Sequence, residues 1–380
     1  MPFPRTTLAK QIVASPLLFA MVYQPLFVTC PFKLLHMAMA VTAIAVFTRM
    51  IDLYYVQPWT GIPSRYCVRS VDKTARSKKD LDDDKQISSR STSADNFLMW
   101  DMERFRIEMW APLRKFSAKK SASQGLRWQD LILLNLTYNF VLDFCIFFMC
   151  QFTAKEMDAL TLPQYAMCMM AVGTFIMLQI LWVYLTVAMI YSMSTGRRIK
   201  TSEWTMLENK FPCFALTPAE FWVNWQTLFR YLWVDLAFLP TRRLCEKYLG
   251  PERVGFRISN MVRQAMPILS VFALSAILHA YIVYATWREP IWSQLFYFMT
   301  QGVAVVVTKV VERSAPGAMI KDTYNKGGPM IRFCLQVLGF LIMVCHHTLT
   351  LPFFMEPYKR HEMWFDLRQK STFWWIYGKL

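Results

Sequence analysis

Seven stretches of this 380-residue chain approach the length that crosses a bilayer: 12–29, 34–48, 131–152, 165–191, 265–287, 291–311 and 331–354. A spanning helix needs ~20 predominantly apolar residues. In hydrocarbon every backbone polar group must be satisfied within its own segment, so such stretches cross as helices. The composition agrees, since 55% hydrophobic against 18% charged residues is far from an ordinary soluble domain. The expected architecture is all-α and polytopic, with about seven to eight transmembrane helices. The first stretch reads as retained rather than as a cleaved signal, because Pro16 and Pro25 interrupt it and apolar sequence resumes at once.

The net charge of +16 does not point to nucleic acid, because the basic residues are scattered between the apolar stretches instead of gathering on one soluble module. They cluster before the first stretch, between the second and third, between the fourth and fifth, and after the sixth. Those loops share one face if all seven stretches cross, and the positive-inside rule makes that face cytoplasmic, in a membrane expected to be the endoplasmic reticulum. The tail, with Lys359, Arg360, Arg368 and Lys370, breaks the pattern. Either the last stretch stops short of crossing or 221–240 hides a further crossing.

Residues 1–60 thus form N-terminal spans, 61–96 a flexible polar cytoplasmic loop, and 97–380 a membrane core. Asp82, Asp83 and Asp84 suggest a magnesium-diphosphate site, yet they are embedded in lysines and serines and read as a solvated linker. The segment 96–110 alternates aromatic and charged residues in the manner of a helix lying in the interface. The segment 211–240 is too polar for a simple span and too aromatic for a linker, so an interfacial or re-entrant helix is expected near 218–240. Thr217 and Glu220 form a capping-box pair with Pro218 at the first helical position. Helical spacing pairs Trp222 with Trp225 or Gln226, and Phe229 with Trp233.

His279 stands inside the apolar run 265–287. An ionisable side chain at membrane depth is costly and is a functional candidate by default; its alternative is a histidine bonded to a neighbouring helix. The remaining histidines carry less. His36 stands alone, His361 lies in the charged tail, and the adjacent His346 and His347 point to different sides of a helix, so they cannot chelate one ion as an i, i+4 pair can. His346 is kept as a secondary cavity residue. The nine cysteines lie mostly in or beside spans with no Cys-x-x-Cys spacing, which argues against disulfides and zinc; no metal is expected.

Thr217-Pro-Ala-Glu-Phe-Trp222, a second Trp at 225, Leu-Phe-Arg230, an apolar stretch closed by Pro240 and a Ser275-x-x-x-His279 span together resemble the wax-synthase-like branch of the membrane-bound O-acyltransferases. The chain is similar in particular to fungal members that acetylate terpenoid and meroterpenoid alcohols. The resemblance extends through 301–312 and 351–357, covers about the last half of the chain, and has its signature region at 211–312. It implies His279 as catalytic base. Trp222, Trp225 and Ser275 fall on the family pattern as substrate-binding positions. One departure is marked: relatives commonly carry a histidine where Gln226 stands, and neither Gln226 nor Asn224 accepts a proton as imidazole does.

The chemistry follows from the residues too. An alcohol attacking a thioester must lose its proton as the bond forms, and histidine, which titrates near ~6.5, takes it at neutral pH. Asn224, Gln226 and Ser275 can donate to the developing oxyanion. Arg230, Arg242 and Arg243 can meet the phosphates of coenzyme A, or serve only as topology determinants. No nucleophile elbow occurs, so transfer is expected to be direct. The expectation is acetyl transfer from acetyl-CoA, a co-substrate rather than a bound cofactor, to an apolar alcohol drawn from the lipid. Two alternatives stay open: a wax synthase using long acyl-CoA and a fatty alcohol, and a non-catalytic transporter or receptor.

Overall fold

A computed structural model describes residues 5–56 and 125–378, except 197, 202–203, 209–211, 226–227 and 250–255. The expected loop at 61–96 and the interfacial helix at 96–110 lie outside these residues. In chain order the long helices are α1 (Arg5–Phe27), α2 (Lys33–Ile51), α3 (Trp128–Met149) and, after the short α4 (Ala154–Asp158), α5 (Leu162–Thr195). A broken segment follows: α6 (Pro218–Asn224), α7 (Arg230–Trp233), a π-helical turn at Val234–Phe238 and α8 (Leu239–Tyr248). The chain ends with α9 (Phe256–Trp287), α10 (Trp292–Arg313), α11 (Ala315–Lys326), α12 (Pro329–Arg360), α13 (Met363–Arg368) and α14 (Thr372–Tyr377).

Among the described residues six helices are long and apolar enough to cross a membrane: α2 with its following turn, α3, α5, α9, α10 and α12. The protein is an all-α, polytopic membrane protein. The first apolar stretch, counted among the expected spans, is shorter in its apolar part, Ala14–Phe27. Carbonyls near its C-terminal end, where the last four lack an intrahelical donor, accept from neighbours. Tyr281 donates to the Val22 carbonyl at 2.8 Å, His36 Nε2 to that of Pro25 at 2.8 Å, and Arg288 to that of Leu26. Arg288 reaches it from a left-handed turn with φ of 60°.

Neighbouring helices run antiparallel. Asn135 of α3 meets Thr186 and Trp182 of α5, while Leu126 and Ile199 bridge at the end of that pair. Gln294 and Gln301 of α10 meet Phe354 and Thr350 of α12, and Arg313 meets Gln264 across α9 and α10. Inward faces form a core of buried aliphatic and aromatic side chains such as Met169, Phe272, Phe298 and Phe354. Outward faces carry exposed Leu133, Phe140, Val303 and Ile342, the pattern of a surface solvated by lipid tails.

Both open readings of the tail concern 331–354 and 221–240. α12 runs unbroken for 32 residues and is long and apolar enough to cross. The segment 221–240 is not a crossing: α6 has seven residues, and its cap Trp225 turns extended, with ψ of 171°. Arg198, Arg242, Arg263, Arg313 and Lys326 therefore gather at one end of the bundle and the tail at the other. There Lys359 pairs with Asp158 at 2.7 Å and Arg360 with Glu289 at 2.9 Å, so the basic tail is largely offset. Of the cysteines, Cys145, Cys150, Cys168 and Cys245 are buried packing residues as expected, whereas Cys334 and Cys345 face outward.

α9 and α10 pack closely at Gly302, where an added Cβ would stand 3.0 Å from the Phe272 side chain. Gly302→Val gains little helix propensity and overpacks this contact, which costs ~1–3 kcal/mol. Thermal unfolding of the purified protein should show a lowered midpoint; an unchanged one would contradict this packing.

Candidate functional site

The broken segment enters the bundle and leaves by the same end. Leu216 packs on Gly339 near the start of α12, Trp222 reaches Gln301 at mid-bundle, and Glu246 of α8 returns to within 3.8 Å of Arg263 near the start of α9. Where one interfacial or re-entrant helix was expected near 218–240, the segment reaches into the bundle in several short pieces. Locally half of the expected capping box forms: Thr217 accepts from the Glu220 amide at 3.1 Å, but the Glu220 carboxylate takes the Leu216 amide, at 2.9 Å, instead of that of Thr217. Trp222 and Trp225 do meet, at 6.1 Å, and Phe229 stacks on Trp233 at 5.4 Å.

Irregular backbone at membrane depth is tolerated where protein buries it or where it lines a cavity. Here it does both. Trp222, Trp225, Phe229 and Trp233 form one wall of a cavity of about 420 Å³, bordered on the other sides by α5, α9, α10 and α12. Its lining is predominantly apolar and aromatic, with few polar groups: Ser275, His279, Tyr297, His347 and Thr348, and Arg230 and Lys309 among the rest. Lys309, paired with Glu312 at 2.8 Å, belongs to the basic end of α10.

His279 lies between Phe298, whose ring centre is 4.3 Å away, and Phe354 at 5.6 Å. Its Nδ1 is 2.8 Å from the Ser275 carbonyl, which can only accept, so Nδ1 carries the proton. That leaves Nε2 as the lone-pair nitrogen of the neutral ring. Among the described residues nothing hydrogen-bonds it, and it is not sealed from solvent. The Ser-x-x-x-His spacing thus has a geometric meaning: residue i offers its carbonyl to the ring one helical turn on and fixes the tautomer.

A second polar feature holds the wall in place. The Trp222 indole donates to Gln301 Oε1 at 3.2 Å, and His346 Nε2 donates to the same oxygen at 3.0 Å. Gln301 Nε2 donates to Thr350 at 2.9 Å, whose hydroxyl donates on to the His346 carbonyl at 2.7 Å. Because an indole N–H only donates, the amide must present its oxygen there. Gln301, wholly buried, so ties the broken segment to α10 and α12.

Of the residues singled out from sequence, Trp222, Trp225, Arg230, Ser275 and His279 line one cavity. Asn224 ends α6 and does not line it, and Gln226 lies outside the described residues. Arg242 and Arg243 sit exposed on α8 away from the cavity, Arg242 paired with Glu246 at 2.9 Å. The adjacent histidines do point apart, but His347 is the one in the cavity while His346 serves the Gln301 network. Gln301 was missed, though a signal existed: Gln294 and Gln301, seven apart in an apolar helix, share a face, and both are fully buried. Among the described residues no group of three His, Cys, Asp or Glu side chains is gathered to hold a metal. No family model, curated protein or solved structure matches the chain.

Gln301→Leu strands two donors, the Trp222 and His346 N–H groups, at ~1–3 kcal/mol each. Trp222→Phe leaves Gln301 Oε1 still bonded to His346 and should cost less on this account. Denaturation midpoints that reverse this order would refute the network.

Proposed function

We propose that this chain is a multi-pass O-acyltransferase of the wax-synthase-like membrane-bound branch, moving acetyl from acetyl-CoA to a hydroxyl of a terpenoid-class alcohol. The observation that carries the proposal is the lone-pair nitrogen of His279, open to an apolar cavity and oriented by the Ser275 carbonyl. The resemblance of the 211–312 region supports it.

In this reading the acceptor hydroxyl donates to His279 Nε2. Its oxygen attacks the thioester carbonyl as the proton passes to Nε2; the carbon–sulfur bond then breaks and the thiolate leaves with that proton as coenzyme A. Ser275, whose hydroxyl has no partner among the described residues, donates to the oxyanion. The basic end of the bundle faces the cytosol of an endoplasmic-reticulum membrane. Arg230 and Lys309 receive the donor's phosphates there, and the acceptor arrives from the lipid. A cavity of about 420 Å³ falls within the ~300–1,000 Å³ typical of sites for one drug-sized molecule. It suits a compact acceptor and a short acyl group better than two long chains.

His279→Ala should lower ester formation ~10²–10⁴-fold at matched protein abundance. Ser275→Ala keeps the orienting carbonyl and should lose less, up to ~10²-fold. Microsomes in which the alanine variant of His279 turns over normally would end the assignment. With acetyl-, butyryl- and palmitoyl-CoA offered beside a terpenoid alcohol and hexadecanol, mass spectrometry should find the acetyl ester of the terpenoid foremost. Preferred palmitoylation of hexadecanol would instead identify a wax synthase.

A further inference from the structure

The cavity holds a second imidazole that the reaction leaves idle. His347 lines it from α12, against the ring of Phe221 at 4.3 Å. Unlike its neighbour His346, which spends Nε2 on Gln301, His347 has no hydrogen-bond partner among the described residues at either nitrogen; its Nε2 is sealed among side chains, and its Nδ1 is the nitrogen open to an occupant. A buried polar group left unsatisfied in an apolar setting is costly. Thr348, the next residue, adds a hydroxyl to the same wall.

The two imidazoles are set apart in a measurable way. Phe354 packs on His279 and lies seven residues beyond His347 on the same helix. At ~1.5 Å of rise per residue, positions 347 and 354 are ~10 Å apart along α12, so the two imidazoles stand at different levels of the cavity, separated on the order of 10 Å. Phe298, Phe272 and Trp222, in mutual ring contact, line the wall beside them. An occupant with its hydroxyl at His279 therefore presents an apolar body to aromatic walls and, about 10 Å on, meets a group that hydrogen-bonds.

We propose that His347 recognises a second polar group on the acceptor, so that the acceptor class is a rigid apolar scaffold bearing the acylated hydroxyl and a hydroxyl or carbonyl about 10 Å away. The proposal rests on the acyl-transfer reading for the role of His279, but binding at His347 is measurable without turnover. Tryptophan fluorescence of the purified protein, with Trp222, Trp225 and Trp233 in the cavity wall, reports occupancy. The probes are a polycyclic terpenoid diol with that spacing and its mono-alcohol analogue.

Wild type should bind the diol about tenfold more tightly, the worth of one well-placed hydrogen bond. His347→Leu should erase the preference by weakening the diol alone, and His347→Gln, which can still donate and accept, should retain part of it. Equal binding of both probes by wild type, or a leucine variant that weakens both alike, would overturn the proposal. If the diol is preferred and His347-dependent yet no acetyl ester forms, the acyltransferase reading fails and the recognition site stands. If esters form with no preference between the two alcohols, the reverse holds.

Discussion

Backbone that is not helical can sit at membrane depth only if protein encloses it and its polar groups find partners. Everything distinctive in this bundle follows from meeting that demand at 212–238. The segment breaks after Asn224, where Trp225 turns extended, and the aromatic side chains on both sides of the break pack inward. Gln301 anchors the segment by its side chain, joining the Trp222 indole to α10 and, through His346 and Thr350, to α12. Without that junction the wall has no fixed position, and the cavity beside His279 has no fixed shape.

The same economy governs His279. A ring nitrogen in hydrocarbon needs a partner, and its own helix provides one in the Ser275 carbonyl, which is accessible because the side chain folds back one turn. Satisfying Nδ1 locally frees Nε2 for the cavity. Phe298 and Phe354 hold the ring between them, so orientation comes from packing and tautomer from the hydrogen bond. Supports on rigid helices hold such a group more closely than a loop would.

Much of this is visible in the residues themselves. Helices of near-membrane length are dictated by apolar run length, and α3, α5, α9, α10 and α12 appear close to where those runs place them. His279, Trp222 and Trp225 were recoverable because intramembrane polarity and clustered aromatics are local signals, and Ser275 through its spacing from His279 in the family pattern. What stayed hidden depends on how helices face one another. Period 3.6 says that His346 and His347 diverge, but only the position of α10 beside α12 decides which enters the cavity. Arg242 and Arg243 look equivalent to Arg230 as charges; they lie on α8, which packs by Glu246 near Arg263 and does not line the cavity. The tail's charges misled for a similar reason, since Asp158 and Glu289, distant in sequence, offset them.

The central claim is that the neutral His279 ring keeps its proton on Nδ1 and presents Nε2 to the cavity. Nitrogen-15 magnetic resonance of histidine-labelled protein in lipid bilayers tests it directly, with His279 assigned by difference from a His279→Gln sample. At neutral pH the spectrum should show a protonated Nδ1 and a bare Nε2 whose resonance shifts when an apolar alcohol is added. A proton on Nε2, or a doubly protonated ring, would contradict it, because neither form can take a proton from an alcohol at that nitrogen.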